Sequence, residues 1–125
     1  MSGSLVLVAD DDRDILELVR VRLERDGHRV VTAQNGEDAL RTAVEERPQL
    51  AILDVMMPKM NGYDLTAALR RNTATSSIPV ILLTARVEEA DVDRGVRAGA
   101  DDYVKKPFST TELRDRVDVL LRRSK

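Results

Sequence analysis

Short runs of apolar residues alternate along the chain with longer stretches in which apolar residues recur every three or four positions. A short apolar run between turn-forming residues is typical of a buried strand, and the longer period is typical of an amphipathic helix. The predicted strands, β1 to β5, cover residues 5–9, 29–33, 50–54, 79–83 and 102–105. The predicted helices, α1 to α5, cover residues 13–26, 36–46, 62–71, 87–98 and a last segment that begins at a capping box of residues 109–112. This alternation predicts a parallel sheet with helices on both faces, joined by right-handed crossovers.

Local signals mark where the predicted helices begin and how firmly they form. Asp12, Asn35 and Asn61 each stand where a side-chain oxygen can cap the first turn of the following helix. Gly27 follows α1, as glycine often does at the end of a helix. Gly95 lies inside α4 and costs about 1 kcal/mol relative to alanine. We therefore predict that α4 is a weaker helix and a candidate for mobility.

Four predicted strands run directly into residues that carry chemistry. Strand β3 ends in Asp54, β1 is followed by Asp10 and Asp11, β4 by Thr84, and β5 by Lys106. Ligands of open α/β sheets bind outside the carboxyl ends of the strands. The sequence therefore predicts that carboxylates, a hydroxyl and an amine converge around Asp54.

Carboxylates gathered in a cleft repel one another unless a proton or a cation lies between them. The chain has no cysteine and one distant histidine, so oxygen ligands favour a hard cation, and Mg²⁺ needs only one or two carboxylates. Such an ion, with Lys106 and Thr84, supplies the positioning and charge stabilisation that phosphoryl transfer requires. Asp54 is the predicted nucleophile, and an acyl phosphate is the predicted product.

Each of these residues also fits a purely structural role when it is taken alone. An aspartate after a strand is usually a turn former or a helix cap, and this applies to the run Asp10-Asp11-Asp12. Lys106 fits a solvated surface lysine, Thr84 a cap, and Tyr103 a half-buried strand residue. The functional interpretation depends on the whole set, in which each member stands at the end of a strand.

Composition excludes several other classes of protein. The 125 residues predict a single domain over 1–125, with residues 1–4 as a flexible or non-native lead-in. A net charge of −2 and three aromatic residues give no sign of binding to nucleic acid or a membrane surface. No transmembrane span or signal peptide is recognisable, and a chain without cysteine suits a reducing compartment, so we expect a cytoplasmic protein.

In combination, the motifs resemble the receiver domain of bacterial two-component response regulators. The matching segments are residues 6–12, 53–58 with Gly62, 82–85, 98–103 and 106–108. The resemblance spans nearly the whole chain, from Leu5 to about Arg122. It implies a flavodoxin-like (βα)5 fold, a five-stranded parallel sheet in the order 2-1-3-4-5.

The resemblance also implies roles for the residues around Asp54. Asp54 would accept a phosphoryl group from the phosphohistidine of a sensor histidine kinase or phosphotransfer protein, and later lose it by autodephosphorylation. Asp11, Asp54 and the backbone carbonyl of Met56 would ligate Mg²⁺, with Asp10 acting mainly through water. These roles describe a phosphorelay switch that catalyses its own phosphorylation, and not an enzyme with turnover.

Further roles concern the signal that leaves the site. Thr84 and Lys106 would contact the phosphoryl group, the rotamer of Tyr103 would change as Thr84 shifts, and the peptide bond before Pro107 is often cis in this family. The α4-β5-α5 face would then contact a downstream output domain, a docking protein or a second copy of the chain. Val92 and Asp118 stand where dimerising members carry basic residues, which is a departure from their pattern.

Two other functions compete with this interpretation. Asp10-x-Asp12 after a first strand is also the pattern of Mg²⁺-dependent phosphohydrolases of the haloacid dehalogenase type, although the usual downstream threonine is absent, since Arg13 follows. A receiver-type adaptor that is never phosphorylated is the third possibility, and the intact acid set argues against it.

Overall fold

The computed structural model describes residues 3–85 and 89–123. Its strands are β1 Leu5–Ala9, β2 Arg29–Ala33, β3 Leu50–Asp54, β4 Val80–Thr84 and β5 Asp102–Lys105. Its helices are α1 Arg13–Arg25, α2 Gly36–Glu46, α3 Gly62–Arg71, α4 Glu89–Ala98 and α5 Thr110–Arg123. Every predicted element is present, which confirms the α/β prediction. Residues 87 and 88 of the predicted α4 lie outside the described residues.

All pairs of neighbouring strands are parallel, and their order is β2-β1-β3-β4-β5. This confirms the predicted flavodoxin-like topology. The predicted bounds of β4 were wrong by one residue, because Thr84 still pairs with Lys105 in the ladder. Thr84 is therefore the last residue of β4 and does not follow it.

Alternating side chains of the strands build two separate apolar layers, one on each face of the sheet. Leu7 and Leu53 belong to the layer beneath α2 and α3, whereas Val8 and Ile52 belong to the layer beneath α1 and α5. Every residue of β3 is buried, as expected for a central strand covered on both faces. A rigid sheet of this kind fixes the positions of the groups at its edges.

The predicted caps hold the helices at the carboxyl edge of the sheet. The carboxylate of Asp12 accepts hydrogen bonds from the backbone N–H groups of Asp14 and Ile15, at 2.9 and 3.4 Å. The side-chain oxygens of Asn35 and Asn61 cap α2 and α3 in the same way. All three predicted capping roles are confirmed.

Ser4, directly before β1, makes two hydrogen bonds at the start of β2. The backbone N–H of Ser4 donates to Nδ1 of His28 at 3.1 Å, and its carbonyl accepts from the N–H of Arg29 at 3.0 Å. Ser4 therefore continues the pairing of β1 with β2. Residues 1 and 2 of the predicted lead-in lie outside the described residues. No helix within residues 3–85 and 89–123 is long and apolar enough to cross a membrane.

Candidate functional site

Three carboxylates meet at the carboxyl edge of the sheet. Asp10, Asp11 and Asp54 each place an oxygen within 4.8 Å of the others. Asp10 is 0% exposed and Asp54 is 5% exposed, whereas Asp11 faces solvent. The two buried acids form the floor of the cluster, and Asp11 forms its open side.

The backbone around Asp54 is fixed by the turn that follows β3. The N–H of Val55 donates to the carbonyl of Leu83 at 3.0 Å, and the N–H of Gly62 donates to the carbonyl of Val55 at 2.9 Å. A Cβ atom on residue 62 would lie 2.5 Å from the carbonyl oxygen of Asp54. Only glycine therefore allows α3 to begin so close to the end of β3.

Lys106 supplies the positive charge of the site. Its Nζ donates to Oδ2 of Asp10 at 2.8 Å and to Oδ1 of Asp54 at 3.2 Å. The backbone N–H of Lys106 donates to the carbonyl of Thr84 at 2.7 Å, which ties the loop after β5 to the end of β4. The peptide bond between Lys106 and Pro107 is cis, as the resemblance implied.

The charges of these groups affect one another strongly. Burial, and after it the neighbouring charge of Asp10, raise the pKa of Asp54 to about 6 against the opposing effect of Lys106. Burial by itself would lower the pKa of Lys106, but the hydrogen bonds and charges of Asp10 and Asp54 raise it. The site thus holds more negative charge than one lysine neutralises, and an additional cation would relieve the repulsion.

The three consecutive aspartates have three different roles. Oδ1 of Asp10 accepts from the N–H of Asp12 at 2.9 Å, which leaves Oδ2 for Lys106. The carboxylate of Asp12 is occupied with the cap of α1 and does not belong to the cluster. The Asp-x-Asp geometry of the phosphohydrolase alternative is therefore absent from this part of the structure.

The remaining predicted residues lie around the cluster. Thr84 is 2% exposed at the end of β4, and Tyr103 is half-buried on β5. Met56, two residues beyond Asp54, has a side chain that is 69% exposed. The hydroxyl of Tyr103 has a partner that the sequence did not indicate, because the hydroxyl of Tyr63 on α3 lies 2.8 Å away.

An open parallel sheet in the order 2-1-3-4-5 defines a flavodoxin-like domain, and the acids at its carboxyl edge could hold a metal ion. The family model of the response regulator receiver domain matches residues 6–118. The chain therefore belongs to the response regulator receiver domains, which are signalling proteins of phosphorelays and not classical enzymes. The phosphohydrolase alternative has no support.

Individual relatives agree with this family. The chain is 45% identical over 119 residues to the alkaline phosphatase synthesis transcriptional regulatory protein PhoP of Bacillus subtilis, covering 95% of this chain and 49% of the relative. It thus spans about half the length of the curated relatives it matches.

Two solved structures share the fold. One is the receiver domain of the Francisella response regulator 1452, with a TM-score of 0.92, 35% identity and coverage of 98% of this chain and 100% of that one. The other is the receiver domain of the sensor histidine kinase PA1611 from Pseudomonas aeruginosa PAO1, with a magnesium ion coordinated in the active site cleft. Its TM-score is 0.89 at 28% identity, and the match covers 96% of this chain and 98% of that one.

Proposed function

We propose that this chain is a phosphorylation-dependent switch whose phosphoryl acceptor is Asp54. The observation that carries the proposal is the buried carboxylate of Asp54, with Lys106 Nζ 3.2 Å away and the carboxylates of Asp10 and Asp11 beside it. A buried acid of this kind is shielded from water, yet it lies at the edge of the sheet where a partner can approach.

The donor set around Asp54 fits a magnesium ion. Asp10, Asp11, Asp54 and the backbone carbonyl of Met56 are the proposed ligands, and all of them are the oxygen ligands that Mg²⁺ prefers. Burial and the charge of Asp10 raise the pKa of Asp54, and this supports the assignment because a divalent cation would offset both effects. When bound, the ion would neutralise charge on the transferring phosphoryl group and hold it near the acceptor.

In the proposed reaction, an oxygen of the Asp54 carboxylate attacks the phosphorus of a phosphohistidine on a sensor kinase or phosphotransfer protein. The new O–P bond forms as the P–N bond breaks, and the electron pair returns to the imidazole. Lys106 would pair with a phosphoryl oxygen, and Thr84 would donate a hydrogen bond to another. Hydrolysis of the acyl phosphate by water would restore the carboxylate and release inorganic phosphate.

The proposed output of the switch is the α4-β5-α5 face. Two large apolar side chains are exposed on its helices, Val96 at 66% and Val119 at 43%. Arg116 of α5 pairs with Asp102 of β5 at 2.7 Å, so this face already contains an ion pair within the chain. We propose that this face binds a downstream output domain, a docking protein or a second copy of the chain. The proposed compartment is the cytoplasm.

Treatment with acetyl phosphate and Mg²⁺ tests this function. Intact-mass spectrometry should show one added phosphoryl group on the wild-type protein and none on Asp54→Asn or after chelation of the metal. Equal labelling of Asp54→Asn would contradict the proposal. Repeated turnover of a phosphate monoester, followed by colorimetry of free phosphate, would instead revive the phosphohydrolase interpretation.

A further inference from the structure

The two tyrosines of the chain are hydrogen-bonded to each other, although they lie on different secondary-structure elements. The hydroxyl of Tyr63 on α3 lies 2.8 Å from that of Tyr103 on β5. Tyr63 is buried and Tyr103 is half-buried, so this contact is partly shielded from solvent. Buried tyrosine hydroxyls need partners, and here each supplies the other.

Tyr63 also contacts α4 in two ways. Its hydroxyl lies 3.4 Å from the backbone carbonyl of Asp91 and donates to it. The guanidinium carbon of Arg94 lies 4.5 Å from the centroid of the Tyr63 ring, a cation–π geometry. Tyr63 therefore connects Tyr103 to α4, the helix whose internal Gly95 makes it a candidate for mobility.

The hydroxyls lie in series. A backbone carbonyl only accepts, so Tyr63 donates to Asp91, and the oxygen of Tyr63 can then accept from Tyr103. Burial and the hydrogen bond with Tyr63 raise the pKa of Tyr103, and an interaction with Thr84 lowers it. Thr84 and Tyr63 are therefore both neighbours of the Tyr103 hydroxyl, and Tyr63 links that hydroxyl to the carbonyl of Asp91.

The Tyr103 hydroxyl thus interacts both with the residue that would contact a phosphoryl group on Asp54 and with the residue that contacts α4. When Thr84 turns to the phosphoryl group, Tyr103 loses its interaction with Thr84. The hydrogen bonds further along then weaken, because hydrogen bonds in series polarise one another.

We propose that Tyr63 is a positioning residue that passes the state of Thr84 from Tyr103 to α4. The inference rests on the proposed function, since it concerns what a phosphoryl group on Asp54 changes. The observation that carries it is the placement of Tyr63 against Tyr103, Asp91 and Arg94 at once.

Other contacts of α4 determine which end of it would respond. Arg70 of α3 donates from Nε and Nη2 to the carbonyl of Gly99 at 3.1 and 2.8 Å, which fixes the C-terminal end. Gly95 packs on the Tyr103 ring so closely that a Cβ atom there would lie 3.0 Å from Cε2. Loss of the contacts at Asp91 and Arg94 therefore releases the N-terminal half of α4 while its far end stays attached.

Tyrosine labelling gives a direct readout, because a chain with two tyrosines and no tryptophan gives two assignable ring signals. With ¹³Cζ-labelled tyrosine, addition of beryllofluoride and Mg²⁺ as a phosphoryl mimic should shift both signals. Thr84→Val should abolish both shifts although the rings remain in place. A Tyr63 signal that stays unmoved when the Tyr103 signal shifts in the wild-type protein would overturn the proposal.

Hydrogen exchange of the backbone amides of residues 89–98 tests the effect on α4. Tyr63→Phe keeps the ring and removes one hydroxyl, so exchange in the unphosphorylated protein should become about fivefold faster, the effect of one net hydrogen bond. Beryllofluoride should speed exchange in the wild-type protein and add little in Tyr63→Phe. The control Thr32→Val, which removes an exposed hydroxyl from β2, should behave as wild type.

A double-mutant cycle separates this role from simple packing. If Tyr63 acts through Tyr103, the effect of Tyr63→Phe on exchange should shrink in the Tyr103→Phe background; purely multiplicative effects would overturn the proposal. An unaltered beryllofluoride response in Tyr63→Phe would also overturn it while the proposed function stands. Failure of acetyl phosphate to label the wild-type protein would instead reject the proposed function and the relay with it.

Discussion

Replacing Lys106 with alanine is expected to destabilise the metal-free protein by about 3 kcal/mol at neutral pH, because one change leaves two buried carboxylates without their cation. Nζ of Lys106 lies 2.8 Å from Asp10 and 3.2 Å from Asp54, and both acids are almost inaccessible to water. The positive charge that Lys106 would place beside the transferring phosphoryl group is lost as well. We therefore expect labelling by acetyl phosphate to slow about a hundredfold. Urea unfolding and the time course of intact-mass labelling measure the two effects.

The chain provides a matched control in the preceding residue. Lys105 is exposed and belongs to the same segment, so Lys105→Ala removes an equal charge without touching the acids. Its effect on stability should stay within about 0.5 kcal/mol. Added Mg²⁺ should restore more stability to Lys106→Ala than to wild type. Equal stability losses in the two variants would show that Lys106 does not neutralise the site.

Asp54→Asn is expected to stabilise the metal-free protein at neutral pH while it removes the acceptor. The pKa of Asp54 is raised from 3.8 to about 6, so between these values the folded chain holds a proton that the unfolded chain has lost. Wild-type stability therefore falls as the pH rises from about 4 to about 6, and the full penalty is present above this range. A shift of this size corresponds to about 2–3 kcal/mol at most, which the neutral amide avoids.

Thermal unfolding in the presence of a chelator measures this gain. At pH 7.5, the melting temperature of Asp54→Asn should exceed that of wild type by about 5 °C or more, and the difference should disappear near pH 4. Asp93→Asn removes one exposed negative charge from α4 and should leave the melting temperature unchanged. A difference that persists unchanged at pH 4 would show that the gain does not come from the ionisation of Asp54. Saturating Mg²⁺ should favour wild type instead.

The fold could be predicted because its signals are local and consistent. The run Leu50-Ala51-Ile52-Leu53 is apolar at every position, and only a strand covered on both faces buries all of it. The starts of three helices are predictable because a side-chain oxygen accepts hydrogen bonds from backbone N–H groups within the next three residues. The capping residues are Asp12, Asn35 and Asn61. The end of β4 was missed because it is set from outside the segment, by the pairing of Thr84 with Lys105.

In the site, too, features set by neighbouring residues could be predicted, whereas contacts between residues far apart in the chain could not. The sequence could predict that acids gather at one edge, because parallel strands bring their carboxyl ends together. It could also predict that Asp12 caps α1 while Asp10 and Asp11 join Asp54, because a helix cap acts within three residues. The sequence could not predict the hydrogen bonds of the Tyr63 hydroxyl, since its partners lie 28 and 40 residues away in the chain. The pattern of apolar positions alone does not distinguish a tyrosine with a hydrogen-bonded hydroxyl from an apolar core residue of a helix.

The central claim is that one carboxylate, Asp54, receives the phosphoryl group. Borohydride reduces an acyl phosphate to an alcohol, so protein treated with acetyl phosphate and Mg²⁺ and then with borohydride should carry homoserine at the modified position. Peptide mapping by mass spectrometry should find homoserine at position 54, and at no other aspartate. Homoserine at Asp10 or Asp11 with position 54 intact, or its absence from a fully folded and metal-loaded protein, would contradict the account.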